Sequence, residues 1–218
     1  MLKLQPYYEK DEYIEIGIDE VGRGPMFGRV YCACVILPKN NDFKHENMKD
    51  SKKFHSEKKI QETAEYIKQN CIAWSISYSS EEEIDKFNIK QATFMAMHRA
   101  LKNLIEINKY ESYHILVDGN EFKPYIIFNN NTLSPIKHTT IVGGDNKFTS
   151  IAAASILAKV ERDKYIKELC EKDPLLNEKY DLIKNKGYGT KLHIEGIKKH
   201  GISQYHRKSF GLCRNYDT

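Results

Sequence analysis

Four carboxylates stand where the sequence pattern ends a strand: Asp19 and Glu20 side by side, then Asp118, then Asp145. Each follows an alternating or apolar run and meets a turn: Gly22-Arg23-Gly24-Pro25 after the first pair, Gly119-Asn120 after Asp118, Gly143-Gly144 just before Asp145. Taken singly, an Asp in such a place is a turn residue or a helix N-cap, and Asp145 is the clearest capping candidate. Taken together, the four would gather at one sheet edge, where crowded like charges must either take up protons or bind a hard cation. Oxygen donors without His or Cys beside them favour Mg²⁺ or Mn²⁺ over zinc. Periodicity alone leaves the structural and the metal-binding readings both open.

The loop after the first pair, Gly22-Arg23-Gly24-Pro25-Met26-Phe27-Gly28, looks like a phosphate cradle but fails both nucleotide fingerprints. Its spacing is G-x-G-x-x-x-G, no G-K-[ST] follows, and the acids before it would repel a phosphate unless a cation intervened. A plain tight turn explains it better. What the glycines permit is a close approach of backbone N–H and C=O groups to a ligand.

The elements that must carry these residues follow from period. Tyr13 to Glu20 alternates with three isoleucines on one face, Val30 to Leu37 is an apolar run stopped by Pro38, and Ala73 to Ser79 alternates again, giving three strands. His114 to Val117 and His138 to Val142 supply two more. Ser56 caps a helix of about fifteen residues, and Glu81 to Ile107 is one long or broken amphipathic helix with Ile89, Thr93, Met97, Leu101 and Leu104 in register. Ser150 to about Cys170 is helical, its small-residue run Ala152-Ala153-Ala154-Ser155 demanding close packing. The expected fold class is α/β: a mixed five-stranded sheet, antiparallel hairpin strands plus parallel strands, flanked by helices, with a small helical C-terminal appendage. The expected division is a sheet-bearing domain over 1–172 and a helical C-terminal extension over 173–218. The asparagine cluster Asn129-Asn130-Asn131 is expected at a loop tip.

With 218 residues, 40% hydrophobic and 29% charged, the chain has the apolar material for one large globular domain. Its longest apolar run, around Ile151 to Ala158, falls far short of the ~20 residues that span a bilayer, and the polar N-terminus has no signal core. Five scattered cysteines without a C-x-x-C pair argue against a disulfide framework and for a reducing, cytoplasmic setting, with Cys32 and Cys34 as small core residues. Between Lys184 and Arg214, eight Lys and Arg face Glu195 alone, a net +7 that leaves −3 for the rest of a +4 chain. A basic end on a slightly acidic body is either a solvated face or a footprint for a phosphate backbone. Trp74 is expected in the core, and His98, His138 and His193 at the surface.

Six blocks in this chain resemble those of bacterial ribonuclease HII, the type 2 ribonuclease H. They are Gly17-Ile18-Asp19-Glu20-Val21-Gly22-Arg23-Gly24-Pro25, Asp50-Ser51-Lys52-Lys53, Val117-Asp118-Gly119-Asn120, Gly144-Asp145-Asn146-Lys147 with the helix Ser150 to Asp163, Gly187-Tyr188-Gly189-Thr190-Lys191, and His206-Arg207-Lys208-Ser209-Phe210. They keep the family's order from about residue 13 to 210. Val21, Phe27 and Arg29 depart from its usual Ala, Ala and Pro beside the loop and leave the acids intact.

The resemblance implies a ribonuclease H-like fold and an endonuclease that hydrolyses the RNA strand of RNA/DNA hybrids. It also implies nicking of duplex DNA 5′ to embedded ribonucleotides, with 3′-hydroxyl and 5′-phosphate products. Carried over, Asp19, Glu20, Asp118 and Asp145 become catalytic metal ligands for two divalent ions, Mg²⁺ or Mn²⁺. Gly22, Arg23 and Gly24 with Tyr188 become the readers of the ribonucleotide 2′-hydroxyl, the group that separates RNA from DNA. Lys52, Ser155, Lys159, Lys191 and Arg207 become phosphate contacts. The expected partners are RNA/DNA hybrid and ribonucleotide-containing duplex, with no membrane. The chain is expected to be a monomer, and a replication-clamp partner is left open. A catalytically dead binder would not need four acids, and a proofreading exonuclease or resolvase of the same fold class would lack the Gly-Arg-Gly loop and the Tyr188 context.

Overall fold

The computed structural model describes residues 4–10, 12–40, 43–108, 110, 112–129 and 132–216. Strands β1 (Ile14–Val21), β2 (Val30–Ile36), β3 (Ala73–Ser79), β4 (Tyr113–Asp118) and β7 (Lys137–Ile141) form one sheet in the order β3-β2-β1-β4-β7. The β1–β2 and β2–β3 pairs are antiparallel, and β1–β4 and β4–β7 parallel, as the pattern requires. Between β4 and β7 lies a separate hairpin, β5 (Ile126–Asn129) with β6 (Thr132–Pro135), which the sequence pattern does not announce. Asn129 ends β5, while Asn130 and Asn131 lie outside the described residues.

Alternation along β1 and β2 sorts the two cores. Ile16, Ile18, Cys32, Cys34 and Ile36 pack with Ala96, Met97, Ala100, Leu101 and Leu104 of α2 (Glu81–Ile107). Ala33 and Val35 face the other way, onto Ile60, Ala64 and Ile67 of α1 (Glu57–Asn70) and Ala152 to Ala154 of α3 (Thr149–Lys172). Ser56 accepts from the Lys59 N–H to cap α1, and Ser80 and Glu83 form a capping box on α2. α2 is kinked at Asn88, where φ is 64°. Asp19 shares the α3 face of β1 with Gly17, and there is no room there for a larger residue. A Cβ on Gly17 would lie 2.2 Å from the Ser150 carbonyl carbon, so the helix backbone rests directly on the strand.

After α3 come α4 (Pro174–Tyr180), α5 (Leu182–Asn185) and α6 (Lys191–His200). Leu176, Tyr180, Leu182, Ile197 and Cys213 from this end join Met26, Phe27, Tyr31, Tyr165 and Ile166 in one apolar cluster. Residues on both sides of position 172 therefore share a core.

Two placements differ from expectation. Trp74 is 41% exposed, because β3 is an edge strand and its ring is met by the Lys68 ammonium at 5.4 Å from the centroid. His193 is fully buried, because α6 turns that face onto the C-terminal segment rather than to solvent. No helix among the described residues is long and apolar enough to cross a membrane.

Candidate active site

Register places the acids. Ile18 pairs with Val117 at the last rung of the parallel β1–β4 ladder, so the next residues, Asp19 and Asp118, stand side by side just beyond it. Asp118 also pairs with Ile141, one strand over, and its Oδ1 accepts the Gly144 N–H at 2.6 Å, which draws the turn carrying Asp145 onto the strand end. Asp145 is buried in a single 3-10 turn, Gly144–Asn146, and does not cap α3, whose N-cap is Phe148. Asp19 Oδ1 accepts the Glu20 N–H at 2.6 Å, and Glu20 reaches the Arg23 guanidinium at 3.4 Å. A cavity of about 70 Å³ borders Glu20, Arg23 and Asp118.

These acids are short of positive charge. Burial, then the charges of Glu20 and Asp118, hold the Asp19 carboxyl well above the ordinary carboxylate range, against the pull of the Ser155 hydroxyl. Burial raises Glu20 too, although Arg23 opposes it. Burial followed by Asp118 and Asp50 raises Asp145, with Asn146 and Lys52 opposing. Cys32 stands opposite Glu20 on β2, but burial pushes its thiol up and its sulfur lies 3.7 Å from the Thr93 carbonyl, so it is no thiolate ligand. The donor set is thus oxygen-only and repulsive until neutralised, which fits hard divalent cations. Among the described residues no three His, Cys, Asp or Glu side chains already close on one point as a cage.

The sequence pattern assigned no part to Asp50. It caps a short 3-10 turn by accepting the Lys52 N–H at 2.9 Å and meets the Asn146 amide at 3.3 Å, and the same amide donates to Asp145 at 2.9 Å. Its signal was its place in a family block beside Lys52.

The Gly-rich loop is held by two buried arginines. Arg162 of α3 donates to the carbonyls of Phe27, Arg29 and Lys186. Gly22 must be glycine, since its φ is +92° and a Cβ there would sit 2.3 Å from Arg162 Nε. Arg207, expected to contact phosphate, has no exposure at all, and this corrects that expectation. Its guanidinium donates to the carbonyls of Gly22 (2.6 Å), Arg23 (3.1 Å), Pro25 (2.7 Å) and Gly28 (2.7 Å). Burial, then the charge of Arg162, lowers its pKa to about 9.

The carbonyls so gathered orient the loop. In a trans peptide the C=O of one residue and the N–H of the next point in opposite directions, so the N–H groups of Arg23 and Gly24 turn away from Arg207. The same rule sends the Met26 N–H away from the Pro25 carbonyl, where it meets the Gly187 carbonyl at 2.9 Å. Next to Gly187, Tyr188 is 49% exposed, and its Cε1 lies 3.5 Å from where a Gly24 side chain would begin. The structure brings Gly22, Arg23, Gly24 and Tyr188 together, beside Glu20.

The remaining expected contacts are scattered around this centre. Ser155 is buried against Ser51 (3.0 Å) beside Asp19. Lys52 is exposed near Asp145, and Lys159 is half-buried in an ion pair with Asp163. Lys191 is exposed at the start of α6, 3.9 Å from Glu195.

The arrangement of the chain is shared with the ribonuclease H2 of Pyrococcus horikoshii OT3, with a TM-score of 0.72 at 20% identity over 93% of this chain and 96% of that one. It is also shared with Bst-RNase HIII in complex with Mn2+, with a TM-score of 0.63 at 16% identity over 86% and 70%. These likenesses define the fold as ribonuclease H-like, with the carboxylates crowding the ends of its central strands. The family model for Ribonuclease HII matches residues 16–213, and the Ribonuclease HII of Parabacteroides distasonis is 49% identical over 209 residues, 96% of this chain and 95% of that protein. The chain belongs to the ribonuclease HII family, and it is an endoribonuclease acting on RNA/DNA substrates.

Proposed function

We propose that the enzyme nicks duplex DNA 5′ to an embedded ribonucleotide and cleaves the RNA strand of long hybrids, leaving 3′-hydroxyl and 5′-phosphate ends. Asp19, Glu20, Asp118 and Asp145 would hold two divalent cations, Mg²⁺ or Mn²⁺. Cations in such a site supply the activation of water for in-line attack and the stabilisation of the leaving 3′-oxygen. The chain's own part is to place the scissile phosphate: the N–H groups of Arg23 and Gly24 and the Tyr188 hydroxyl meet the 2′-oxygen, and the Tyr188 ring packs on the following deoxyribose. Ser155, Lys52, Lys159 and Lys191 contact flanking phosphates, and the 173–218 segment, acting with the catalytic body as a cytoplasmic monomer, grips the duplex.

The observation that carries this reading is the approach of the Tyr188 ring to Gly24 in a loop that adjoins Glu20. The test is cleavage of an end-labelled duplex bearing one ribonucleotide, with and without Mg²⁺. A single cut 5′ to the ribonucleotide, seen only with the metal, is expected. No cut there, or metal-independent cleavage, overturns it.

A further inference from the structure

Residues 203–207 run alongside the Gly-rich loop. Phe27 and His206 form an isolated antiparallel bridge, the Gly28 N–H donates to the Tyr205 carbonyl at 2.9 Å, and the Arg207 N–H donates to the Met26 carbonyl at 2.8 Å. Successive side chains of an extended segment point to opposite sides. Arg207 thus turns into the loop carbonyls, while the His206 ring packs edge-on against Phe27, with centroids 5.0 Å apart, and meets His193 of α6, the two Nε2 atoms 3.1 Å apart.

The partners decide which nitrogen carries each proton. The Ser203 N–H donates to His206 Nδ1 at 2.9 Å, so that nitrogen is an acceptor and the proton sits on Nε2. His193 Nε2 must then accept, and its Nδ1–H donates to the Tyr188 carbonyl at 2.9 Å. A directed chain of hydrogen bonds therefore runs from Ser203 through His206 and His193 to the backbone of Tyr188. Both rings are buried, and burial lowers both pKa values, that of His206 to about 3, so the chain is neutral.

We propose that His206 and His193 are positioning residues that, together with Arg207, set the gap between the Tyr188 ring and the Gly22–Gly24 loop and thereby favour a single ribonucleotide in DNA over a long hybrid. The inference rests on the reading of Tyr188 given above. Two adjacent residues hold the two halves of the recognition surface: Arg207 gathers the loop carbonyls and His206, through His193, fixes Tyr188. One short segment thus holds both halves, alongside the Met26–Gly187 backbone bond and the Arg162 bridge from Phe27 to Lys186. A lone ribonucleotide presents one 2′-hydroxyl and needs that register, whereas a hybrid offers many and tolerates its loss.

The test compares kcat/KM on a single-ribonucleotide duplex and on a long RNA/DNA hybrid for wild type, His193→Phe and His193→Asn. Phe keeps a ring but no donor. The Asn amide can still donate to the Tyr188 carbonyl. His193→Phe is expected to lower the ratio of single-ribonucleotide to hybrid cleavage at least about tenfold, as one unsatisfied buried group would, and His193→Asn to restore most of it. Independently, ring ¹⁵N shifts of the wild-type enzyme at neutral pH should report a proton on Nδ1 of His193 and on Nε2 of His206. This measurement decides the matter if His193→Phe does not fold, and the opposite tautomers overturn the proposal. Wild-type cleavage of both substrates with an unchanged ratio in His193→Phe overturns this inference alone. A wild-type enzyme inactive on the single-ribonucleotide duplex overturns the functional reading with it.

Discussion

The Tyr188 ring stands 3.5 Å from the point where a side chain on Gly24 would begin. A ribonucleotide and the sugar that follows it, lying across both, would meet two outward N–H groups and, beside them, a flat apolar face. Tyr188→Ala should therefore harm cleavage at a single ribonucleotide more than cleavage within a hybrid. Tyr188→Phe should fall between, because it keeps the ring and loses one hydrogen bond, about 1 kcal/mol. The measurement is kcat/KM on both substrates at one salt and one Mg²⁺ concentration; equal losses would mean that Tyr188 supports the site without reading the junction.

Asp19→Asn should abolish turnover, by on the order of a thousandfold or about 4 kcal/mol of barrier, while leaving the fold intact. It should also raise the melting temperature of the metal-free enzyme, since it removes a buried charge that Glu20 and Asp118 oppose. Turnover in Mg²⁺ close to wild type, or a lower melting point in EDTA, would refute the placement of this group.

Phosphate gripping by the C-terminal segment is best tested by charge and not by truncation. Removing the chain from Lys184 onward would also remove Arg207 and part of a shared core. Lys191→Gln with Lys198→Gln and Lys199→Gln, all at exposed positions, should weaken hybrid binding. Every phosphate that is no longer neutralised should take ~0.7 to 0.9 from the slope of log K against log salt. An unchanged slope would make these lysines a solvated face.

The buried imidazoles make stability depend on acid. His206 has a folded pKa of about 3 against 6.5 for the free ring, and His193 shifts the same way. Between those values the unfolded chain binds the proton and the folded chain does not. The stabilisation is complete above pH 6.5 and is lost as pH falls below it, at up to ~1.4 kcal/mol per pH unit for each proton. The raised carboxyls of Asp19, Glu20 and Asp145 act in the opposite sense, so the comparison that isolates the effect is wild type against His206→Gln. Denaturant midpoints from pH 7 to 5 should fall more steeply for wild type. Parallel curves would show that His206 does not titrate on unfolding.

Much of this enzyme was legible in the sequence because its signals are local. Period-two alternation put Ile16 and Ile18 on one face and Asp19 on the other, and the same pattern ended β4 at Asp118. The run Ala152 to Ser155 announced a helix packed closely on the sheet or on a ligand, and the α3 backbone rests on the sheet at Gly17. What periodicity could not reveal was the meeting of residues far apart in the chain. Arg207 is separated from Gly22 by 185 positions, and nothing in a basic C-terminal stretch distinguishes an arginine that meets solvent from one enclosed by four carbonyls. The same holds for His193 against His206, for Asp50 beside Asn146 and for Trp74 on an uncovered edge strand. Composition and spacing decide which residue types are available and which face of an element they occupy. Which buried polar group finds which partner is decided only when tertiary packing excludes water, because the cost of an unsatisfied donor then selects the pairing.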